Sequence, residues 1–222
     1  MAATRALVLE DDSFACFTIA AALRGHGFDV VGEYVTANDA VAGATASHPD
    51  VLVTDLDLGR GPTGIAVAHV LRRANPALGV VLLTNHVDPR SAGTSLSQVP
   101  EGTEYITKQS VRDIGVLALA IERAIRAAPG QAAPRPVTSK PVPTALSDAQ
   151  METLRLVAAG LSNAEIARRR HVSERGIERM IARIIVMLGI DDQPEYNRRM
   201  ALSNAFDAIA RGEMVNGLGA AG

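Results

Sequence analysis

The sequence predicts two folded parts: an α/β domain built as a doubly wound parallel (βα)5 sheet, then a small all-α domain of four helices. Three observations predict it. In residues 1–127, short β-branched runs alternate five times with helix-patterned segments, the pattern of a parallel sheet covered on both faces. Residues 128–145, APGQAAPRPVTSKPVPTA, hold five prolines, which lack the backbone donor and disfavour helix at the preceding residue, so a semi-rigid linker is expected. Residues 146–215 carry helix start and stop signals throughout. The remainder, NGLGAAG at 216–222, is expected to fray.

The elements follow in order. Strands are expected near residues 6–9, 28–31, 51–54, 80–84 and 104–106, and helices near 13–23, 38–46, 64–73, 89–98 and 111–127. The fourth of these helices is weakly encoded, because Gly93, Thr94, Ser95 and Ser97 have poor helix propensity, and it is the expected mobile element. In the second part, Ser147 with Gln150 and Ser162 with Glu165 read as capping boxes. Gly160 and Gly189 suit helix ends, and Pro194 suits a first helical position. Helices are placed near 148–159, 163–170, 174–188 and 195–212.

Composition narrows the function classes. Hydrophobic residues make up 47% of the chain, enough for a real core. No apolar run reaches the roughly 18 to 20 residues of a bilayer span, and the first residues lack a signal peptide's basic and apolar regions, so a cytoplasmic protein without membrane contact is expected. Cys16 is the single cysteine and reads as a small buried hydrophobe. Residues 1–126 carry 10 Lys+Arg against 14 Asp+Glu, and residues 145–222 carry 10 against 10. Nucleic-acid binding by the second part therefore has to rest on where its charges stand, not on their sum.

Glu10, Asp11 and Asp12 follow the first strand, and Asp55 and Asp57 close the third. Adjacent parallel strands bring these acids together, and function collects beyond the carboxyl ends of such strands. Clustered carboxylates repel one another unless a divalent cation holds them ionised, so a Mg²⁺ site is expected. Thr84 ends the fourth strand with a hydroxyl, and Lys108 follows the fifth with an ammonium group. Acids, hydroxyl and ammonium at four strand ends describe a phosphoryl site.

The segments LVLEDDSF, VLVTDLDL, VVLLT and YITK, in this order over about the first 126 residues, resemble the receiver domain of two-component response regulators. The resemblance implies that Asp55 is the phosphoacceptor and takes its phosphoryl group from a sensor histidine kinase. It also implies that Asp11 and Asp55 bind Mg²⁺ directly, Glu10 mainly through water and Asp57 through its backbone carbonyl. Thr84 and Lys108 would hold the phosphoryl oxygens, and Tyr105 would turn inward behind Thr84 as a switch. Three departures imply altered phosphorylation and phosphate loss: Gly59 where the family usually has proline, with a GRGPTG loop about one residue longer than usual; Asn85 where a small residue is usual; and Asp57, which adds a carboxylate near any attacking water.

AAGLSNAEIARRR, within residues 146–190, resembles the LuxR-type helix-turn-helix, whose second helix lies in a DNA major groove. Ile177, Ile181, Ile184 and Leu188 recur at helical spacing and are expected in the core, leaving Glu174, Arg175, Glu178, Arg179 and Arg183 exposed. Arg175, Arg179 and Arg183, together with Arg168, Arg169 and Arg170, are the expected DNA contacts. Glu178 stands where the family usually has a DNA-contacting lysine, and Met180 where it often has histidine. Ile185, Val186 and Met187 are apolar where basic residues are common, so the last helix, through Met200, Leu202, Phe206 and Ile209, is expected to cover them or to pair with a second copy in a homodimer. The leading reading is a phosphorylation-dependent DNA-binding transcription regulator. The alternative is a response regulator whose helical domain binds protein or only dimerises. A metabolic enzyme is not expected, since His26, His48, His69, His86 and His171 show no metal-ligand spacing.

Overall fold

Burial runs along nearly the whole of β1 (Arg5–Leu9), β3 (Val51–Asp55) and β4 (Gly79–Thr84), as it must for strands with helices on both faces. With β2 (Asp29–Tyr34) and β5 (Thr103–Thr107) at the edges they form a parallel sheet in the order β2-β1-β3-β4-β5. The structure, a computed structural model, describes residues 3–59, 61–85, 89–108, 111, 113–129, 146–190 and 195–211. Most of the expected linker, the tail and Pro194 lie outside the described residues.

Alternation along each strand divides the core in two. Ala6, Val8, Val53 and Leu83 face α1 (Ser13–Gly25) and α4 (Ile114–Ala127), which bury Cys16, Leu23, Leu117 and Ile121 against them. Leu7, Leu9, Leu52 and Leu82 face the other way, onto α2 (Ala37–Ser47) and α3 (Gly64–Ala74). Each helix begins on a side-chain cap that satisfies an orphan amide: Asp12 for α1, Thr36 for α2, Thr63 for α3 and Asp113 for α4. Both layers leave the carboxyl ends of β1, β3, β4 and β5 open together at one edge.

The helix expected at 89–98 is replaced by two 3₁₀ turns, Pro89–Ala92 and Leu96–Gln98. Between them Gly93 has φ +83°, a left-handed conformation that ends a helix. The segment's polar groups also find partners beyond the segment itself. By packing, the chain divides into Met1–Asn85 with Ser97–Lys140, and His86–Leu96 with Pro141–Gly222. Within the second unit the buried Arg90 guanidinium donates to the Leu146 carbonyl, and the Ser95 hydroxyl donates to Asp148.

The helical part of that unit comprises α5 (Asp148–Ala158), α6 (Asn163–Arg170), α7 (Glu174–Met187) and α8 (Glu195–Arg211). Both capping boxes form, at Ser147 with Gln150 and Ser162 with Glu165. One core gathers Met151 and Leu154 of α5, Ile166 of α6, Ile177 and Ile184 of α7, and Leu202 and Ile209 of α8. Among the described residues, no helix is long and apolar enough to cross a membrane.

One contact ties the start of α3 to the end of β3. A Cβ added at Gly64 would lie 2.0 Å from the Asp55 carbonyl oxygen and 2.7 Å from Thr54 Oγ1, both fixed by the sheet. Gly64→Ala should therefore lower stability by about 1 to 3 kcal/mol in urea unfolding, despite the better helix propensity of alanine. Unchanged or increased stability would mean that α3 moves freely away from β3.

Candidate functional site

The sheet order delivers Glu10 and Asp11 from the end of β1 and Asp55 from the end of the adjacent β3. Oxygens of these three carboxylates lie within 4.8 Å of one another. Their environments differ: the Glu10 side chain is 2% exposed and that of Asp55 10%, while Asp11 is open to solvent. Lys108, just beyond β5, reaches over β4 to join them. Its Nζ donates to Asp55 Oδ2 at 2.7 Å and to Glu10 Oε1 at 2.8 Å, and lies 2.7 Å from Glu10 Oε2. The second Glu10 oxygen lies within ion-pair range but outside hydrogen-bond geometry, and is a buried acceptor with no hydrogen bond.

Burial is the main force on both ends of this pairing. It pushes the Glu10 carboxyl above its usual range, and although Lys108 opposes this, the nearby Asp55 charge adds to it, so the net shift is upward. Burial alone would lower the Lys108 ammonium, but its hydrogen bonds to Asp55 and Glu10 outweigh that and leave it raised. Lys108 therefore stays charged at neutral pH, and Glu10 resists ionisation.

Other acids near the site have local duties. Asp12 caps α1, its Oδ1 accepting from the Ala15 amide at 2.7 Å. The Asp57 amide donates to Asp55 Oδ1 at 3.2 Å, and the exposed Asp57 carboxylate turns to the Gly59 amide at 3.1 Å. Gly59 has φ +68°, which a proline ring at about −65° cannot adopt, so this loop takes a path closed to the family's usual residue. A Cβ there would approach Asp11 Oδ2 at 3.1 Å.

Thr84, buried at the end of β4, stands opposite Thr107 in the β4–β5 register, and Tyr105 stands opposite Leu82. Tyr105 is buried in the core on the α2 and α3 side, two register positions before Thr84. Asn85 is exposed just after Thr84. The sequence reading passed over Thr54, whose buried hydroxyl donates to the Asp55 carbonyl at 3.0 Å, and Gly64, whose bare Cα lets α3 approach that carbonyl. The signals available were a hydroxyl directly before the central acid and a glycine opening a helix.

In the second unit, α6, a turn through His171–Ser173 and α7 make the helix-turn-helix, with Ser173 capping α7. Ile177, Ile184 and Leu188 are buried as expected and Ile181 partly so. Arg168, Arg169, Arg175, Arg179 and Arg183 are exposed. Arg170 is half-buried, and its Nη1 donates to the buried Thr153 hydroxyl and contacts Met180 Sδ at 3.2 Å. Ile185 is buried and Met187 half-buried, but Val186 remains 64% exposed. Leu202 and Ile209 of α8 enter the core, whereas Met200 is 57% exposed.

The sequence matches the family profile of the response regulator receiver domain over residues 6–120 and that of the bacterial regulatory proteins of the luxR family over residues 144–199. It is similar to the DNA-binding transcriptional activator DevR/DosR of Mycobacterium tuberculosis, 29% identical over 170 residues that span 73% of this chain and 77% of that protein. It is also similar to the response regulator protein VraR of Staphylococcus aureus, 25% identical over 178 residues, covering 75% and 81%. Among solved structures, that of two RcsB dimers bound to two parallel DNAs shares the fold with a TM-score of 0.55 at 21% identity, over 92% of this chain and 99% of that one.

The upward shift of Glu10 fixes the sign of a pH effect. A raised folded-state value contributes stability that is complete below the ordinary value of 4.5 and is lost as pH rises through the folded value. Without divalent cations, Glu10→Gln should therefore gain on wild type in urea unfolding as pH is raised from 4 towards 8, by on the order of 1 kcal/mol. A difference that stays flat with pH would contradict the assignment.

Proposed function

This chain belongs to the two-component response regulators, with a receiver domain joined to a luxR-family helical domain, and on that premise we propose that phosphorylation of Asp55 switches a DNA-binding output. The observation that carries the reading is the Lys108 ammonium held between Asp55 and Glu10 beside the solvent-open Asp11. Domain limits of 1–127, 128–145 and 146–215 accompany the proposal.

The donor set suits a hard divalent cation. Three carboxylates converge, one of their buried oxygens has no hydrogen bond, and an exposed side leaves room for water ligands. Asp11 and Asp55 would hold Mg²⁺ directly, Glu10 through water and Asp57 through its backbone carbonyl. When bound, the ion neutralises the negative charge that builds on the transferring group. An oxygen of Asp55 attacks the phosphorus of a phosphohistidine on a sensor kinase. The P–N bond breaks, its electron pair leaves with the imidazole, and an aspartyl phosphate forms. Lys108 already faces the Asp55 oxygen, so it pairs with the incoming phosphoryl charge, and the Thr84 hydroxyl donates to another phosphoryl oxygen. Tyr105, inward behind Thr84, carries that change away from the pocket.

For the output, DevR/DosR is by name a DNA-binding transcriptional activator, and the exposed arginines on α7 supply matching chemistry here. Arg168, Arg169, Arg175, Arg179 and Arg183 are the proposed contacts. Arg170 belongs to the same set, although its Nη1 is engaged by Thr153. RcsB is bound to DNA as dimers, and the proposal extends homodimeric binding to this chain. The neutral charge of the second part and the exposed Glu178 favour the other reading, a helical domain that binds protein or only dimerises.

Labelling with a small phosphodonor and Mg²⁺ should mark wild type, and Asp55→Asn should take up none. Selection from random duplex DNA should then enrich a motif with phosphorylated wild type and do so at least tenfold less well with Asp55→Asn. Equal enrichment in every state removes the switch, and no enrichment with either protein selects the protein-binding reading.

A further inference from the structure

The outward side of α7 carries two stripes of opposite charge. Arg175, Arg179 and Arg183 repeat every four residues, and Glu174 and Glu178 run alongside, with Ala182 at the next step. All five charged residues are exposed, and among the described residues none makes a side-chain hydrogen bond or ion pair. Three other cations of the unit are engaged: Arg155 pairs with Glu152, Arg170 donates to Thr153 and Arg199 donates to Asn163 and Leu161.

The helix is also fixed in rotation. Ile177 and Ile184 are buried on its inner side, and Met180 Sδ sits 3.0 Å from the Thr153 hydroxyl and 3.2 Å from Arg170 Nη1. Rolling α7 to hide Glu178 would expose those isoleucines and break both contacts, so any duplex that meets the arginine stripe also meets the carboxylate.

We infer that Glu178 is a base-reading residue whose carboxylate accepts a hydrogen bond from the exocyclic amine of a cytosine in the major groove. The inference rests on the DNA-binding reading of this unit. A carboxylate near phosphates is repelled, and an acceptor-only group in the groove needs a donor. The base edges offer two, adenine N6 and cytosine N4. Adenine sets its N7 acceptor beside N6, against the carboxylate, while cytosine presents the amine alone. Glu178 lies in the second turn of α7, where such helices approach base edges. Along the helix it stands roughly 4.5 Å from Arg175 and about 7.5 Å from Arg183, one to two base-pair steps. The arginines on either side offset its repulsion from the backbone.

The test selects random duplexes with the full chain, phosphorylated by a small phosphodonor, as wild type, Glu178→Gln and Glu178→Ala. Wild type should enrich a motif with one cytosine per half-site. Glutamine should change that base to adenine, whose N6 and N7 it can bond together, and alanine should leave the position without preference while other positions persist. On fixed duplexes, replacing the cytosine should weaken wild type about tenfold and Glu178→Ala hardly at all. One motif shared by all three proteins, with alanine merely tighter on every sequence, overturns the inference and leaves DNA binding intact. A wild type that binds no duplex overturns the DNA-binding reading and this inference with it.

Discussion

Three carboxylates held within 4.8 Å at the edge of an apolar sheet repel one another, and the first part of the structure is arranged around that repulsion. Lys108 relieves it by pairing with Glu10 and Asp55 together. The pairing needs β1 beside β3, a fifth strand that ends level with them, and a side chain long enough to pass β4. Burial, only partly offset by Lys108, leaves Glu10 raised in pKa, and one of its oxygens has no hydrogen bond. A divalent cation would supply the positive charge that the resting arrangement lacks.

The backbone around Asp55 is correspondingly tight. Thr54 bonds the Asp55 carbonyl, Gly64 packs bare against it, and the Asp57 amide holds the carboxylate from the far side. On the next turn Gly59 adopts a left-handed conformation and brings the loop against Asp11. The tight backbone at Asp55 and the altered path beside Asp11 lie four residues apart. The unusual loop thus bears on the neighbourhood of Asp11 more than on Asp55.

In the helical unit a similar division separates structural from available charge. Arg170 and Arg199 brace helices against one another, while Arg175, Glu178, Arg179 and Arg183 face outward without partners among the described residues. A sequence pattern assigns RRR to one surface; the packed helix sends its third arginine inward to Thr153 and Met180.

Most of the architecture was legible in the residues themselves. Short β-branched runs marked the strands, Ser147 and Ser162 announced helices through bonds only three residues long, and the acids and lysine stood at strand ends where a parallel sheet collects them. Such signals are local, so a single chain displays them without a fold. Packing decided the rest. Lys108 lies 53 residues from Asp55 and 98 from Glu10, and no local rule says which acids it meets. The same holds for Asp12, which caps a helix instead of joining the pocket, for Met200, which stays outside the core, and for residues 89–98, where Arg90 and Ser95 find partners beyond their own segment and no helix forms. Composition and periodicity set the elements and the chemistry available; long-range pairing of buried polar groups, each costly when left unmatched, chose which side chains carry it.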